Sequence, residues 1–259
     1  MRALLPFCVA ICLPAFALAA EVSDPLQSPV WAAMQAKYFA DGPVVFDDRV
    51  KVSVPSIVEN QAQVPVTADA RGLDGVKKLV VIADLNPIQH VLTLSPEKAA
   101  AYVAFRMKVE QGTPVRAAAQ TEDGVWHVGG VYLSAAGGGC SAPAMARGEN
   151  DWSTTVGQAN GKVFRQADGS ARVRMRVRHP MDTGLARNND PAYFIEKLQM
   201  RSASGGALAT LEMFEPVSED PTITLMVRLP QDDKAVDVEG RDNNGAIYRS
   251  VLPAAPGQS

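Results

Sequence analysis

Of the 259 residues in this chain, Cys140 is the one whose sequence context most clearly indicates a chemical role. It follows three consecutive glycines in the segment Ser134-Ala-Ala-Gly-Gly-Gly-Cys-Ser-Ala-Pro143. A free cysteine kept for packing normally lies in an apolar strand or helix, whereas glycine removes restraint from the backbone. We therefore predict that Cys140 is exposed to a reaction partner on a flexible arm, with Gly137, Gly138 and Gly139 as its hinge.

The other two cysteines, Cys8 and Cys12, lie in a segment with the features of a secretory signal peptide. Arg2 supplies a positive charge, an apolar run follows, and Ala17-Leu-Ala19 matches the small-x-small cleavage pattern. We expect residues 1–20 to be removed and the mature protein to be periplasmic. No later stretch is long enough to span a membrane, so we expect no membrane insertion.

A lone cysteine in an oxidising compartment leaves three alternatives open. Cys140 is a functional thiol, or it forms an intermolecular disulfide that makes a dimer, or it has no role. No lysine, arginine or histidine lies within five residues of it, and Arg147 is the nearest cation. The sequence therefore predicts an ordinary thiol pKa near ~8.5.

The remaining residues do not form the motif of a known enzyme class. The histidines His90, His127 and His179 occur in separate contexts, without metal-site spacing, a phosphate loop, a dinucleotide fingerprint or a nucleophile elbow. A cysteine peptidase needs a histidine held against the thiol, and thiol redox enzymes usually need a second cysteine. We therefore expect a non-enzymatic protein with no catalytic residues, no metal and no cofactor.

The formal net charge of −3 argues against a nucleic-acid partner, because no basic excess exists to replace the counterions of phosphates.

The elements that must position Cys140 are predicted to be almost entirely strands. Trp31, Met34 and Tyr38 recur at helical spacing after Ser28-Pro29, which predicts one short capped helix. Period-two alternation and turn residues then predict strands in two blocks, which is typical of two antiparallel β-sandwiches in an all-β protein. The first block comprises residues 50–54, 63–68, 76–83, 91–94, 101–109, 115–120 and 126–133, and the second comprises 162–164, 171–178, 192–200, 207–214, 222–229, 235–238 and 246–251.

The clearest alternation lies in residues 171–178, where Val173, Met175 and Val177 face one way and four arginines face the other. His179-Pro-Met-Asp-Thr-Gly184 follows directly. We interpret this segment mainly as the exit from a strand, because Pro180 cannot donate to a ladder and glycine allows positive φ. The alternative is that His179 serves as a ligand or a base.

These patterns divide the chain into five parts. They are a signal peptide (1–20), an N-terminal helical segment (21–44), a first sandwich (45–136), the cysteine-bearing arm and linker (137–160) and a second sandwich (161–254).

Several motifs, in this order on one chain, resemble the sulfur-oxidation carrier pair SoxY and SoxZ, and the resemblance covers most of residues 45–254. The glycine–cysteine segment is similar to the SoxY carrier arm, although Ser141-Ala-Pro143 replaces its trailing glycines and the chain does not end there. The other matching segments are Val58-Glu-Asn-Gln-Ala-Gln-Val-Pro-Val66, Asn86-Pro87, Thr113-Pro-Val-Arg-Ala117, Asp123-Gly124 and Arg174-Met-Arg-Val-Arg-His-Pro-Met-Asp-Thr-Gly-Leu185, the last with Asp182 where glutamate is commoner.

The resemblance implies two immunoglobulin-like sandwiches that form a non-catalytic carrier. Cys140 would hold a sulfur intermediate covalently while sulfur-oxidation enzymes act on it. Fused chains of this kind also resemble carriers associated with quinoprotein (PQQ) dehydrogenases, which adds such a dehydrogenase or a cytochrome c to the expected partners. The alternative function is an accessory subunit that docks on those proteins, with Cys140 incidental.

Overall fold

The computed structural model describes residues 23–148, 152–187 and 190–255. The predicted signal peptide, residues 1–20, lies outside this part of the chain. Within the described residues the protein is almost entirely β-structure, as expected. Its fifteen strands are β1 (Val44–Phe46), β2 (Lys51–Ser53), β3 (Val64–Asp69), β4 (Val76–Ala83), β5 (His90–Ser95), β6 (Ala99–Met107), β7 (Thr113–Thr121), β8 (Trp126–Leu133), β9 (Ala159–Arg165), β10 (Ser170–Val177), β11 (Ile195–Ser202), β12 (Ala207–Met213), β13 (Thr222–Arg228), β14 (Ala235–Asp242) and β15 (Ile247–Ala255).

Three short helical segments accompany the strands: α1 (Trp31–Tyr38), a 3₁₀ turn (Met145–Gly148) and α2 (Trp152–Thr155). The predicted helix α1 is confirmed, and it buries Trp31 and Met34 against the first sandwich. The predicted Ser28-Pro29 cap was wrong, because Val30 is the N-cap residue and no side chain caps the helix. No helix in the described part of the chain is long and apolar enough to cross a membrane.

The first sandwich consists of two facing sheets formed by the first eight strands. One sheet has the order β1-β8-β7-β4-β5, and the other has the order β2-β3-β6. In β6 the buried residues alternate with more exposed ones, so one row of side chains faces the core. Strand β1 was not predicted; it is three residues long and pairs in parallel with β8.

The second sandwich repeats this arrangement with the remaining strands. One sheet has the order β12-β11-β14-β15, and the other has the order β9-β10-β13. The predicted alternation in β10 is confirmed. Val173, Met175 and Val177 are buried, whereas Arg172, Arg174 and Arg176 are exposed.

Both sheets continue from one sandwich into the other. Strand β5 pairs with β12, with Leu94 opposite Leu211, and β6 pairs with β13, with Ala104 opposite Thr224. A single buried apolar cluster accordingly runs through both sandwiches. The two sandwiches were expected to be connected through a linker alone. They are in fact joined by direct strand pairing, since hydrogen bonds across the boundary continue both ladders.

A buried ion cluster fastens the N-terminal segment to the first sandwich. The Arg116 guanidinium donates to both carboxylate oxygens of Asp24, at 2.8 and 2.7 Å, and its Nε lies 3.0 Å from Asp84 Oδ2. The guanidinium also lies 4.3 Å from the centre of the Trp31 ring. Burial raises the pKa of Asp24, but hydrogen bonds from Arg116 and from backbone amides outweigh it and lower that pKa.

Candidate functional site

The arm that bears Cys140 begins directly after β8 and turns back against the end of β6. Gly137 and Gly138 adopt positive φ angles of 107° and 85°, which residues with a Cβ rarely adopt. A Cβ on Gly139 would lie 2.1 Å from the Gln61 carbonyl oxygen. The glycines therefore allow the arm to pass close against neighbouring backbone, and whether they also act as a hinge stays a prediction.

The backbone of the arm is hydrogen-bonded to the residues after β6. The Gly139 amide donates to the Val109 carbonyl at 2.9 Å, and the Gly138 amide donates to the Glu110 carbonyl at 3.2 Å. The Glu110 carboxylate accepts from the Cys140 and Ser141 amides, both at 3.0 Å, and from the Ser141 hydroxyl at 2.9 Å. One carboxylate thus holds the two residues that immediately follow the glycines.

The second sandwich covers the cysteine from the other side. The Thr183 hydroxyl donates to the Cys140 carbonyl at 2.6 Å, and Thr183 belongs to the loop of residues 179–184 that follows β10. Gly184 has a positive φ of 75°, consistent with its predicted role in a strand exit. Cys140 has no exposed surface. The prediction of an exposed thiol was therefore wrong for this conformation, because two parts of the chain distant in sequence enclose it.

A buried lysine lies in the same region. Lys108 directly follows β6, is 4% exposed, and its ammonium group donates to the Met181 carbonyl. Burial lowers the pKa of Lys108 to about 8, against the opposing effect of Asp182 and of the Cys140 thiol. A cation therefore does lie near the thiol, although the neighbouring sequence contains none.

Burial raises the pKa of Cys140 to about 12, and the nearby Glu110 carboxylate adds to the increase, while Lys108 opposes it. The sequence-based expectation of an ordinary thiol pKa was therefore wrong for the arm in this position, enclosed between the two sandwiches. Because the thiolate is the nucleophilic form, the enclosure of the thiol and its raised pKa both disfavour nucleophilic attack by Cys140 in this position.

His179 is not placed to act as a base. It is fully buried, and its Nδ1 accepts a hydrogen bond from the Met181 amide at 3.1 Å, so the proton of the neutral ring lies on Nε2. Nε2 has no hydrogen-bond partner among the described residues, and the ring packs 4.4 Å from the Tyr193 ring. Burial lowers the pKa of His179 to about 4. The structural role that we preferred for this segment agrees with these contacts.

An ion pair connects the same loop to the segment after the arm. The Arg147 guanidinium lies 2.6 Å from Asp182 Oδ2, and Asp182 also exchanges backbone hydrogen bonds with Tyr193.

Across residues 23–148, 152–187 and 190–255, no group of three or more histidine, cysteine, aspartate or glutamate side chains could hold a metal ion.

Three residues of this site were missed in the sequence: Lys108, Glu110 and Thr183. Alternation gives no signal for the burial of Lys108, since Lys108 continues the register of Tyr102 and Arg106 on the more exposed face of β6. The contacts of Glu110 and Thr183 with the arm leave no local signal, because Cys140 lies 30 and 43 residues away. The Thr183 hydroxyl also accepts a local hydrogen bond from the Leu185 amide at 3.1 Å, as expected for a strand exit.

Two regions of the chain match families of known proteins. The family model described as "Sulfur oxidation protein SoxY" matches residues 35–140, so that the match ends at Cys140. The model described as "Sulphur oxidation protein SoxZ" matches residues 162–252. No curated protein matches the chain. Among solved structures, the sulfur carrier protein SoxY from Chlorobium limicola f thiosulfatophilum is similar at 21% identity, with 40% of this chain and 94% of that chain covered and a TM-score of 0.34.

Proposed function

Because this chain belongs to the SoxY and SoxZ families of sulfur oxidation proteins, fused in tandem, we propose that it is a periplasmic, non-catalytic carrier. Cys140 holds a sulfur-containing intermediate covalently, and partner enzymes act on that intermediate. The observation that carries the proposal is the position of Cys140: the single cysteine outside residues 1–20 lies at the end of a glycine segment whose backbone is hydrogen-bonded to Glu110 and Thr183.

The contacts that hold the arm are reversible. The Glu110 carboxylate and the Thr183 hydroxyl bind arm backbone that water would solvate equally well once the arm is released. A neutral bond such as that from Thr183 contributes about 0.5–1.5 kcal/mol net, and a bond to the charged Glu110 carboxylate about 1.5–3 kcal/mol. Breaking these few bonds is a local event that leaves the sheets intact. The docked state protects the thiol, and the released state presents it to a partner.

Loading replaces the S–H bond of Cys140 by a bond to the sulfur of the intermediate. The thiol gives up its proton to water or to a base of the loading enzyme. Where the product is an S–S bond between the thiol and a reduced sulfur atom, two electrons leave and pass to the electron acceptor of that enzyme, such as a cytochrome c. The carrier supplies the nucleophilic sulfur and its mobility, whereas the partner supplies the activation that the docked thiol lacks.

The alternative is an accessory subunit of a quinoprotein dehydrogenase or cytochrome system, in which Cys140 is incidental. One observation favours it: the complete burial of the thiol and its pKa of about 12 are typical of an unreactive cysteine. The two functions differ in whether Cys140 is required.

Intact-mass measurement of the protein purified from its own host, under non-reducing conditions, tests the carrier function. We expect an added mass that a reductant removes, and none on Cys140→Ser. A matched variant, Cys140→Ser with Ser141→Cys, restores a thiol one position later on the same arm and should recover part of the adduct. Only free thiol on every growth substrate, together with normal growth of the Cys140→Ser strain, would favour the accessory subunit. A reducible doubled mass would instead indicate the Cys140 disulfide dimer.

A further inference from the structure

The arginine stripe of β10 lines an open groove that neither the fold nor the carrier cysteine explains. The groove has a volume of about 840 Å³ and crosses the outer face of the sheet that contains β9, β10, β13 and β6. A shallower depression continues it towards β3. Together they are lined by five cations and two carboxylates. We call this surface the basic groove, and its cations are Arg106, Lys162, Arg172, Arg174 and Arg176.

The cations of the basic groove are poorly neutralised by the protein itself. Lys162 and Arg174 are directly opposite each other on β9 and β10, and like charges in that position destabilise a sheet. Neither of them forms an ion pair with a carboxylate among the described residues. Arg176 is paired with Asp220 at 2.6 Å, but Arg178 shares that same carboxylate at 2.8 Å. Carboxylates among the described residues therefore leave the charges of Lys162 and Arg174 unpaired, on an exposed surface.

The other sheet of the second sandwich shows that this imbalance is local. Its outer face also carries a groove, of about 590 Å³, lined by two cations and two carboxylates. There Arg249 pairs with Glu239 at 2.8 Å, and nearby Arg241 pairs with Glu196 at 3.2 Å. We call it the balanced groove, and it serves as an internal control.

The dimensions and composition of the basic groove indicate the class of its partner. Arg172 and Arg176 are four residues apart on one strand, about 13 Å, so one small anion cannot contact all of the cations. The groove also contains apolar surface: Met145 is 82% exposed, and Phe164 packs 4.9 Å under the Arg172 guanidinium. Arginine, methionine and aromatic side chains together are typical of protein–protein interfaces.

The basic groove is also adjacent to the carrier arm. Met145 lies five residues after Cys140, and its amide donates to Glu219 Oε2 at 2.8 Å at the rim of the groove. A protein seated there would contact the chain just beyond the arm.

We infer that the basic groove is a docking surface for an acidic patch, rich in aspartate and glutamate, on the partner protein that acts on the Cys140 cargo. Attraction between the positive groove and the negative patch would speed their encounter and orient the partner beside the arm. This attraction weakens as the salt concentration increases. The identity of the partner rests on the proposed carrier function, whereas the preference of the groove for an acidic polypeptide does not.

The first experiment measures binding of a fluorescent poly-L-glutamate peptide to the purified protein by anisotropy at low ionic strength. Lys162→Glu with Arg174→Glu should weaken binding at least about tenfold. Arg201→Glu with Arg249→Glu, which makes the same charge change in the balanced groove, should alter it less than about twofold. Circular dichroism and thermal unfolding establish that both variants are folded.

Equal losses in the two variants, or no binding by the unaltered protein, would overturn the proposal. Displacement of the peptide by sulfate beyond that by chloride at equal ionic strength would indicate a small-anion site and would also overturn it. Binding to phosphatidylglycerol vesicles in preference to the peptide would do the same, because it would assign the groove to a lipid surface.

The second experiment separates this inference from the carrier function. The fraction of Cys140 that carries an adduct is measured in the host for both charge variants. The basic-groove variant should show a severalfold lower fraction than the balanced-groove variant. Equal fractions would refute the docking role, whereas the absence of any adduct in the unaltered protein would refute the carrier function and leave the peptide result standing.

Discussion

Arg116 and Lys108 are two buried cations of the same sandwich with opposite surroundings. Arg116 is 1% exposed and binds two carboxylates, Asp24 and Asp84. Lys108 is 4% exposed, and its ammonium group donates to a backbone carbonyl, that of Met181 in the other sandwich. The charge of Arg116 is neutralised by the first sandwich and the N-terminal segment, whereas Lys108 relies on the contact between the two sandwiches.

The difference distinguishes a structural ion cluster around Arg116 from a site around Lys108 where the arm that bears Cys140 is bound. The desolvation of Arg116 is offset by the two carboxylates, so removing it leaves both of them buried and unpaired. For Lys108 the nearby Asp182 carboxylate offsets burial only in part, so the pKa of the lysine is lowered and its surroundings favour the neutral amine. The residues that hold the arm, Val109 and Glu110, follow Lys108 immediately. We therefore expect mutations at Arg116 to affect global unfolding, and mutations around Lys108 to affect the arm and its pH dependence.

The largest effect is expected for Arg116→Met. It should lower the free energy of unfolding by about 3–5 kcal/mol, because Asp24 and Asp84 lose their shared cation in a buried site. Urea denaturation measures this loss. Arg71→Met, which breaks the half-exposed pair with Asp69, is the control and should cost about 0–1 kcal/mol. Similar losses of unfolding free energy in the two variants would show that Arg116, Asp24 and Asp84 do not form a stabilising buried ion cluster.

A pH-dependent effect is expected for Lys108→Met. The pKa of Lys108 is lowered to about 8 from 10.5, so between these pH values the unfolded chain holds a proton that the folded chain has released. The stability of the unaltered protein relative to the variant should therefore rise through this window, by about 3 kcal/mol in all. Urea denaturation at pH 7, 8, 9 and 10 measures it.

Cys140→Ser provides the opposite pH dependence as a control. The pKa of Cys140 is raised to about 12 from 9.0, so the folded chain keeps a proton that the unfolded chain loses. The stability of the unaltered protein relative to Cys140→Ser should therefore fall as the pH rises above 9. Pairs of curves that stay parallel at all pH values would contradict the assignment of both groups.

Gly139→Ala should release the arm without unfolding the sheets. A Cβ at this position would lie 2.1 Å from the Gln61 carbonyl oxygen and 2.7 Å from that of Val109, so the arm must move away. The rate of reaction of Cys140 with a disulfide reagent should increase about tenfold to a hundredfold, which corresponds to ~1.4–2.8 kcal/mol. Gly148→Ala, where the new Cβ meets nothing within 4 Å, should leave the rate unchanged. An unchanged rate in Gly139→Ala would mean that the arm does not depend on this close approach.

The smallest effect is expected for Thr183→Val, which removes the hydroxyl that donates to the Cys140 carbonyl. One such bond is worth about 0.5–1.5 kcal/mol, so the thiol should react about twofold to tenfold faster. Thr210→Val, which removes an exposed hydrogen bond to Glu97, is the matched control. If both variants react at the rate of the unaltered protein, the second sandwich does not hold the arm.

The sequence predicted the strands much better than the site. Strands such as β4 and β8 were predicted to the residue, because alternation and turn residues are local signals. Strand β1 was missed because its parallel partner, β8, lies far away in the chain and leaves no local pattern. The burial of Cys140 could not be predicted for the same reason, since Glu110 and Thr183 enclose it from distant positions.

The pairing of β5 with β12 and of β6 with β13 has a consequence for how the protein folds. The first half of the chain leaves the ribosome with two strands whose outer hydrogen-bonding groups have no partner until the second half is complete. Such open strand edges are the usual starting points of aggregation, and pairings this distant in sequence form slowly. The two halves therefore constitute one folding unit, and we expect the first half produced alone to aggregate unless the second half is supplied with it.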